Sequence, residues 1–166
     1  MANEAYVKTG TWYLVSGENS ASYTLSMEGC ANAAGRVSRQ IDWGASPRPG
    51  MYQWTARCLW QGTSTQYGTL DLYVAAAEES AAAQIAGNLL QTESTLSDVD
   101  KRYNLMYIGS VVAEEATASV TFIAQGTFSF PFRYMTIVGY NAGGSTIGAD
   151  KSNFRMYIAP YSWQGQ

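Results

Sequence analysis

The chain is 166 residues long, 46% hydrophobic and 13% aromatic, with 14% charged residues and a net charge of −3. That length suits one domain with a sizeable core, and that composition is too apolar for a disordered chain. Its ten Lys and Arg residues are scattered, with no basic run longer than Lys101-Arg102, so the positive stripe of a nucleic-acid binder is missing.

Residues 1–10, MANEAYVKTG, lack strand periodicity and are expected to form an N-terminal arm. They carry neither the basic region nor the apolar run of a signal peptide. No stretch of the chain approaches the roughly 20 apolar residues of a membrane helix. The expectation is a soluble protein made in the cytoplasm, with no membrane partner. TWYLVS (11–16) is a short candidate strand. ASYTLSM (21–27) alternates Tyr23, Leu25 and Met27 against Ser22, Thr24 and Ser26.

WGASPRPGMY carries Pro47, Pro49 and Gly50 and is predicted to be a stiff, extended connection. It leads into MYQWTARCLWQ, where Tyr52, Trp54, Ala56, Cys58 and Trp60 share one face. Gln53, Thr55, Arg57 and Gln61 share the other, with Leu59 the exception. TLDLYVA repeats the pattern, with Leu70, Leu72 and Val74 inward and Asp71 outward. Residues 75–86 then show helix propensity, and Gly87-Asn88 would stop a helix. Their apolar residues are mostly alanine, which covers little core. A long connection around residues 76–102, holding one or two helical turns and crossing between sheets, is therefore expected.

The second half reads as four more strands: YNLMYIGSV (103–111), ASVTFIA (118–124), FRYMTIVGYN (132–141) and NFRMYIAP (153–160). In the third, Tyr134, Thr136, Val138 and Tyr140 share a face while Met135 and Ile137 make the other apolar too. Such a strand is either central in a sandwich or pressed against another chain. Pro131 marks a bend before it, and residues 141–144 supply the reversal after it. About eight strands in one chain of this size predict an all-β, antiparallel β-sandwich at 11–161, followed by a C-terminal tail at 162–166.

Groups suited to chemistry are sparse. With no histidine, the Ser-His-Asp and Cys-His nucleophile systems and the commonest zinc ligand are absent. Two cysteines, Cys30 and Cys58, are too few for a disulfide framework or a four-thiolate site. Cys58 reads as a small buried hydrophobe on a strand, and a Cys30–Cys58 bridge is the less favoured alternative. Asp71 alone among the carboxylates falls within a firm strand, facing outward, whereas Glu78-Glu79 and Glu114-Glu115 flank turns. A glycosidase would need two facing carboxylates. Asp98 and Asp100 in SDVDK lack the remaining ligands of a calcium loop, and NAGGSTIG has no Gly-Lys-Ser/Thr. No catalytic residue, metal site or cofactor is expected.

The run DWGASPRPGMYQWTARCLW, then TLDLYVA, NLMYIGSV, FRYMTIVGYN and NFRMYIAPY, resembles in order and spacing the capsid decoration or cement proteins of tailed bacteriophages. The resemblance covers residues 42–161. At the terminus the chain departs from the family: YSWQGQ carries a tryptophan and no charge where family members have a short acidic or proline-containing tail. The resemblance implies a jelly-roll-like sandwich on the outer capsid surface of a virion. Its partners would be the major capsid protein and further copies of itself, as a dimer or trimer. Under this reading Tyr6 and Trp163 anchor the arms on a neighbour, and Arg133 and Arg155, expected on neighbouring strands, are interface candidates that could grip a partner's carboxylate. Two alternatives stay open: another phage structural subunit of tail, fibre or adaptor type, and a carbohydrate-binding module using exposed Tyr and Trp.

Overall fold

A computed structural model describes residues 5–15, 25–44, 50–77, 79–80, 89, 92–96 and 98–165, with only the backbone described at 5–9 and 162–165. Eleven strands are present among them: β1 (Ala5–Thr9), β2 (Tyr13–Leu14), β3 (Ala34–Val37), β4 (Ile41–Asp42), β5 (Met51–Leu59) and β6 (Thr69–Ala77) in the first half. In the second come β7 (Ser94–Thr95), β8 (Met106–Val112), β9 (Thr121–Ser129), β10 (Tyr134–Ala142) and β11 (Phe154–Gly165). One sheet, sheet A, has the order β1-β11-β5-β9, with β2 also on β11. The other, sheet B, has the order β7-β3-β10-β6-β8, with β4 also on β10. Every pairing is antiparallel.

The connectivity is that of a long hairpin folded over itself. β6 pairs with β8, β5 with β9, β3 with β10 and β1 with β11, so each strand of the first half meets its mirror partner from the second. Rolling that hairpin up brings β5 against β11 and β6 against β10 and closes two sheets over one core: a jelly roll. The strict alternation in β5 is what makes this possible. Tyr52, Trp54, Ala56, Cys58 and, just past the strand, Trp60 are all buried, while the intervening residues are half-exposed. Leu70, Leu72 and Val74 on β6, Ile137 on β10, and Phe154, Met156 and Ile158 on β11 meet them.

Glycine makes room for the largest of these side chains. Gly109 on β8 has φ +143, a value closed to most side chains, and a Cβ there would lie 2.5 Å from the Trp54 ring. Gly126 on β9, directly opposite Trp54 in its own sheet, also leaves room for the ring, and the indole Nε1 donates to the Ile108 carbonyl at 3.1 Å. The β6–β8 register shifts at Leu72/Tyr73, opposite Gly109.

Four expectations are corrected. The terminal segments are not unpaired arms: Ala5 to Thr9 run in antiparallel register with Gly165 to Tyr161, because backbone hydrogen bonding needs no side-chain alternation. The long connection does not cross between sheets. It joins β6 to its neighbour β8, and Leu89 and Leu96 bury themselves on the outer face of sheet B with Val37, Ala75, Ala77 and Val138. That cover explains why β10 is apolar on both faces, since it lies at the centre of sheet B under Leu89, Leu96 and Leu105. Residues 75–77 continue β6 as strand; the expected helix beyond them, with its stop at Gly87-Asn88, falls outside the described residues. Finally, 103–104 belong to a 3-10 turn (Val99–Asn104), and pairing in β9 begins at Thr121 after Ser119 takes a positive φ.

Leu25 and Met27 are fully buried with Ser26 half-buried between them, but the three enter no ladder, and residues 21–24 of that candidate strand lie outside the described residues. Cys30 and Cys58 are free thiols buried in the core, with no bridge. No helix among the described residues is long and apolar enough to cross a membrane.

Candidate interaction surface

Of the four residues singled out in the sequence, Arg133 and Arg155 are not neighbours. β10 and β11 follow each other in the chain but lie in different sheets, so Arg133 sits at the entry of β10 in sheet B and Arg155 on β11 in sheet A. Arg133 is engaged within the chain. Its Nε donates to Asp42 Oδ1 and its Nη2 to Asp42 Oδ2, both at 2.8 Å, and its guanidinium lies 4.8 Å over the Tyr134 ring. Both partners are well exposed, so water and salt screen the pair and it adds little to stability. Tyr6 and Trp163 are placed by backbone only, in the β1–β11 ladder, where Tyr6 is opposite Gln164 and Trp163 opposite Val7. Their side chains fall outside the described residues.

Arg155 belongs to a feature that the sequence did not reveal. It is in direct register with Arg57 on β5, and Arg57 is in turn opposite Ile123 on β9. Two like charges opposed on one sheet face disfavour each other. The outward residues of these three strands include no carboxylate. Asp150, in the turn before β11, is the acid that feels Arg155, and its own carboxyl is held below the usual range chiefly by hydrogen bonding from Ser152. Arg57 Nη2 donates to the Ser152 carbonyl at 3.1 Å, while its Nε is shielded from water with no partner among the described residues. Ile123, Arg57, Arg155, Tyr157 and Thr55 ring a depression of about 120 Å³. This is a positive, partly apolar face on an acidic protein.

Beside it runs the open side of the sandwich. β9 and β8 are the last strands of their sheets, and neither has a second strand partner among the described residues. Isolated edges of this kind ordinarily carry lysine, proline or a bulge to block pairing with other chains. β9 carries no charge along Thr121–Ser129, and residues 116–132 contain no charged residue at all. Ile123 is 72% exposed with Val120 exposed near it, and Met106 and Val112 are exposed at the two ends of β8. A shallow depression of about 620 Å³ at the start of β9 is lined by Val120, Phe122 and Ile123, with Glu114 and Glu115 at its rim. The uncharged run was visible in the sequence as a signal. Its position at an edge was not, because strand order depends on pairings far apart in the chain.

The third feature is a tyrosine cluster on the outer face of sheet B. Tyr73 on β6 is opposite Tyr107 on β8, their rings 5.5 Å apart edge to face. Asp71 lies between Tyr140 on β10 and Ser110 on β8 in the next row. The 3-10 turn places Arg102 over the Tyr140 ring at 3.8 Å and beside Tyr103 at 4.9 Å. Asp98 caps that turn by accepting the Asp100 N–H, so SDVDK serves structure.

Among the described residues no group of three or more His, Cys, Asp or Glu is placed to hold a metal ion. Comparison of the chain with protein-family models, with curated proteins and with solved structures returned no match. The fold and the surfaces above are thus read from this chain alone.

Proposed function

We propose that the protein is a virion structural subunit, a capsid decoration or cement protein that bridges neighbouring capsomers of the major capsid protein and holds them by non-covalent contacts. The observation that carries this reading is the β9 edge, a nine-residue strand with no second strand partner among the described residues, no charge and an exposed isoleucine. Such an edge accepts another strand, from a second copy or from a capsid segment, and the pairing supplies backbone hydrogen bonds while Ile123 and Val120 supply buried apolar area. The Arg57–Arg155 pair beside it would take a partner's carboxylate, and Glu114-Glu115 a partner's cation. Each contact is modest. Repetition by the symmetry of a shell makes many modest contacts strong together. The rigidity of a closed jelly roll suits a part that must resist the internal pressure of packed DNA.

The test is co-sedimentation of the purified protein with phage heads assembled without it. Wild-type protein should pellet with the heads at a fixed copy number. Ile123→Lys, which places a charge on the edge without touching the core, should lower the bound fraction by about tenfold or more. Equal binding by the variant would remove the β9 edge from the account, and no binding by wild type would remove the function.

A further inference from the structure

Four tyrosines, an arginine and an aspartate meet on the outer face of sheet B, the side of the sandwich opposite Arg57 and Arg155, and the bridging role above makes no use of them. Tyr103 is 73% exposed and Tyr107 is 56% exposed, although tyrosine rings ordinarily bury most of their apolar body. Each is tied to polar neighbours. Tyr107 donates its hydroxyl proton to Ser110 Oγ at 2.5 Å, and Ser110 donates to Asp71 Oδ1 at 2.6 Å. Arg102 donates from Nη2 to the Tyr103 hydroxyl at 3.2 Å and lies over the Tyr140 ring at 3.8 Å, which holds Tyr103 in place.

We propose that this cluster binds a neutral polysaccharide. A pyranose ring presents C–H faces that pack on aromatic faces, and it presents hydroxyls that both donate and accept. Tyr103 and Tyr107 supply the two platforms, Asp71 the acceptor and the exposed Tyr103 hydroxyl, which accepts from Arg102, the donor. Tyr103 and Tyr107 stand exposed on an open sheet face, which suits an extended chain of sugars better than a small molecule. Asp71 offsets Arg102, so the cluster lacks the surplus positive charge that a phosphate polymer requires. The proposal is independent of the β9 edge, and either can fail without the other.

Affinity electrophoresis through gels containing dissolved β-glucan, xylan or galactomannan tests it. The intact protein should be retarded by at least one of the three. Tyr103→Ala and Tyr107→Ala should each weaken retardation by about tenfold, and Asp71→Asn should weaken it further than either. Both tyrosines are exposed, so unchanged thermal unfolding of the alanine variants will show that the fold is kept. Absence of retardation in all three gels, unaltered retardation of the double tyrosine variant, or tighter retention on oligothymidylate than on any polysaccharide would each overturn the assignment.

Discussion

Asn141 is the most connected polar side chain in the core. Fully buried on β10, it accepts from Trp60 Nε1 at 2.9 Å and from the Gly143 amide at 3.0 Å, and it donates to the carbonyls of Cys30 and Ser145 at 2.9 and 2.8 Å. It thereby ties β5's end, the Cys30 loop and the β10 reversal together with every hydrogen-bonding site used. Asn141→Leu keeps the volume but orphans these partners, and it should cost about 4 kcal/mol in urea unfolding. A loss of under 1 kcal/mol would mean that the network is dispensable. Cys58 makes a different prediction. Burial pushes its thiol well above the ordinary range, with Cys30 adding to the effect, and burial raises Cys30 as well. The unfolded chain gives up these protons above about pH 8.5 while the folded chain keeps them, so stability is fully present below that pH and falls as pH rises. The urea midpoint should stay level from about pH 6 to 8 and drop between about 8.5 and 9.5, and Cys58→Ala should flatten the drop. An equal drop in the variant would contradict burial as the cause. Cys58 was legible in the sequence as a buried hydrophobe because the alternation around it is strict. Asn141 was not, because Trp60 and Cys30, two of its partners, are distant in the chain.

β5 and β6 were readable from their period of two, since each has one face in the core and one toward solvent. β10 was readable as a strand, but its second apolar face had two explanations, and only the cover by Leu89 and Leu96 decides between them. The termini went the other way. Nothing in AYVKT or in the end of the chain alternates, yet β1 pairs with the last five residues of β11. Truncation after Pro160 removes that partner. It should leave the sandwich folded, destabilise it by about 2 kcal/mol, and expose the amides of residues 5–9 to rapid hydrogen exchange. Protection of those amides in the truncated chain would show that β1 is held by something else. Any loss of head binding in that variant must therefore be compared with its loss of stability, which an unpaired arm would not have entailed.

The described residues form a two-sheet jelly roll with one open side, at β8 and β9, and two contrasting outer faces. One face carries opposed arginines, and the other carries tyrosines around an arginine and an aspartate. The sandwich class followed from strand count and alternation. Which strands end the sheets could not be read from the same residues, and so the candidate surface was missed. Arg133 and Arg155 were paired by their closeness in sequence, and the roll-up separated them. Arg57, the actual partner of Arg155, is far from it in the chain and adjacent in the sheet. The bridging role proposed above is decided by electron cryomicroscopy of heads assembled without the protein and then saturated with it. The account predicts added density the size of one sandwich domain per copy at the junctions between capsomers, with β9 against the shell. Shells identical before and after saturation would contradict it.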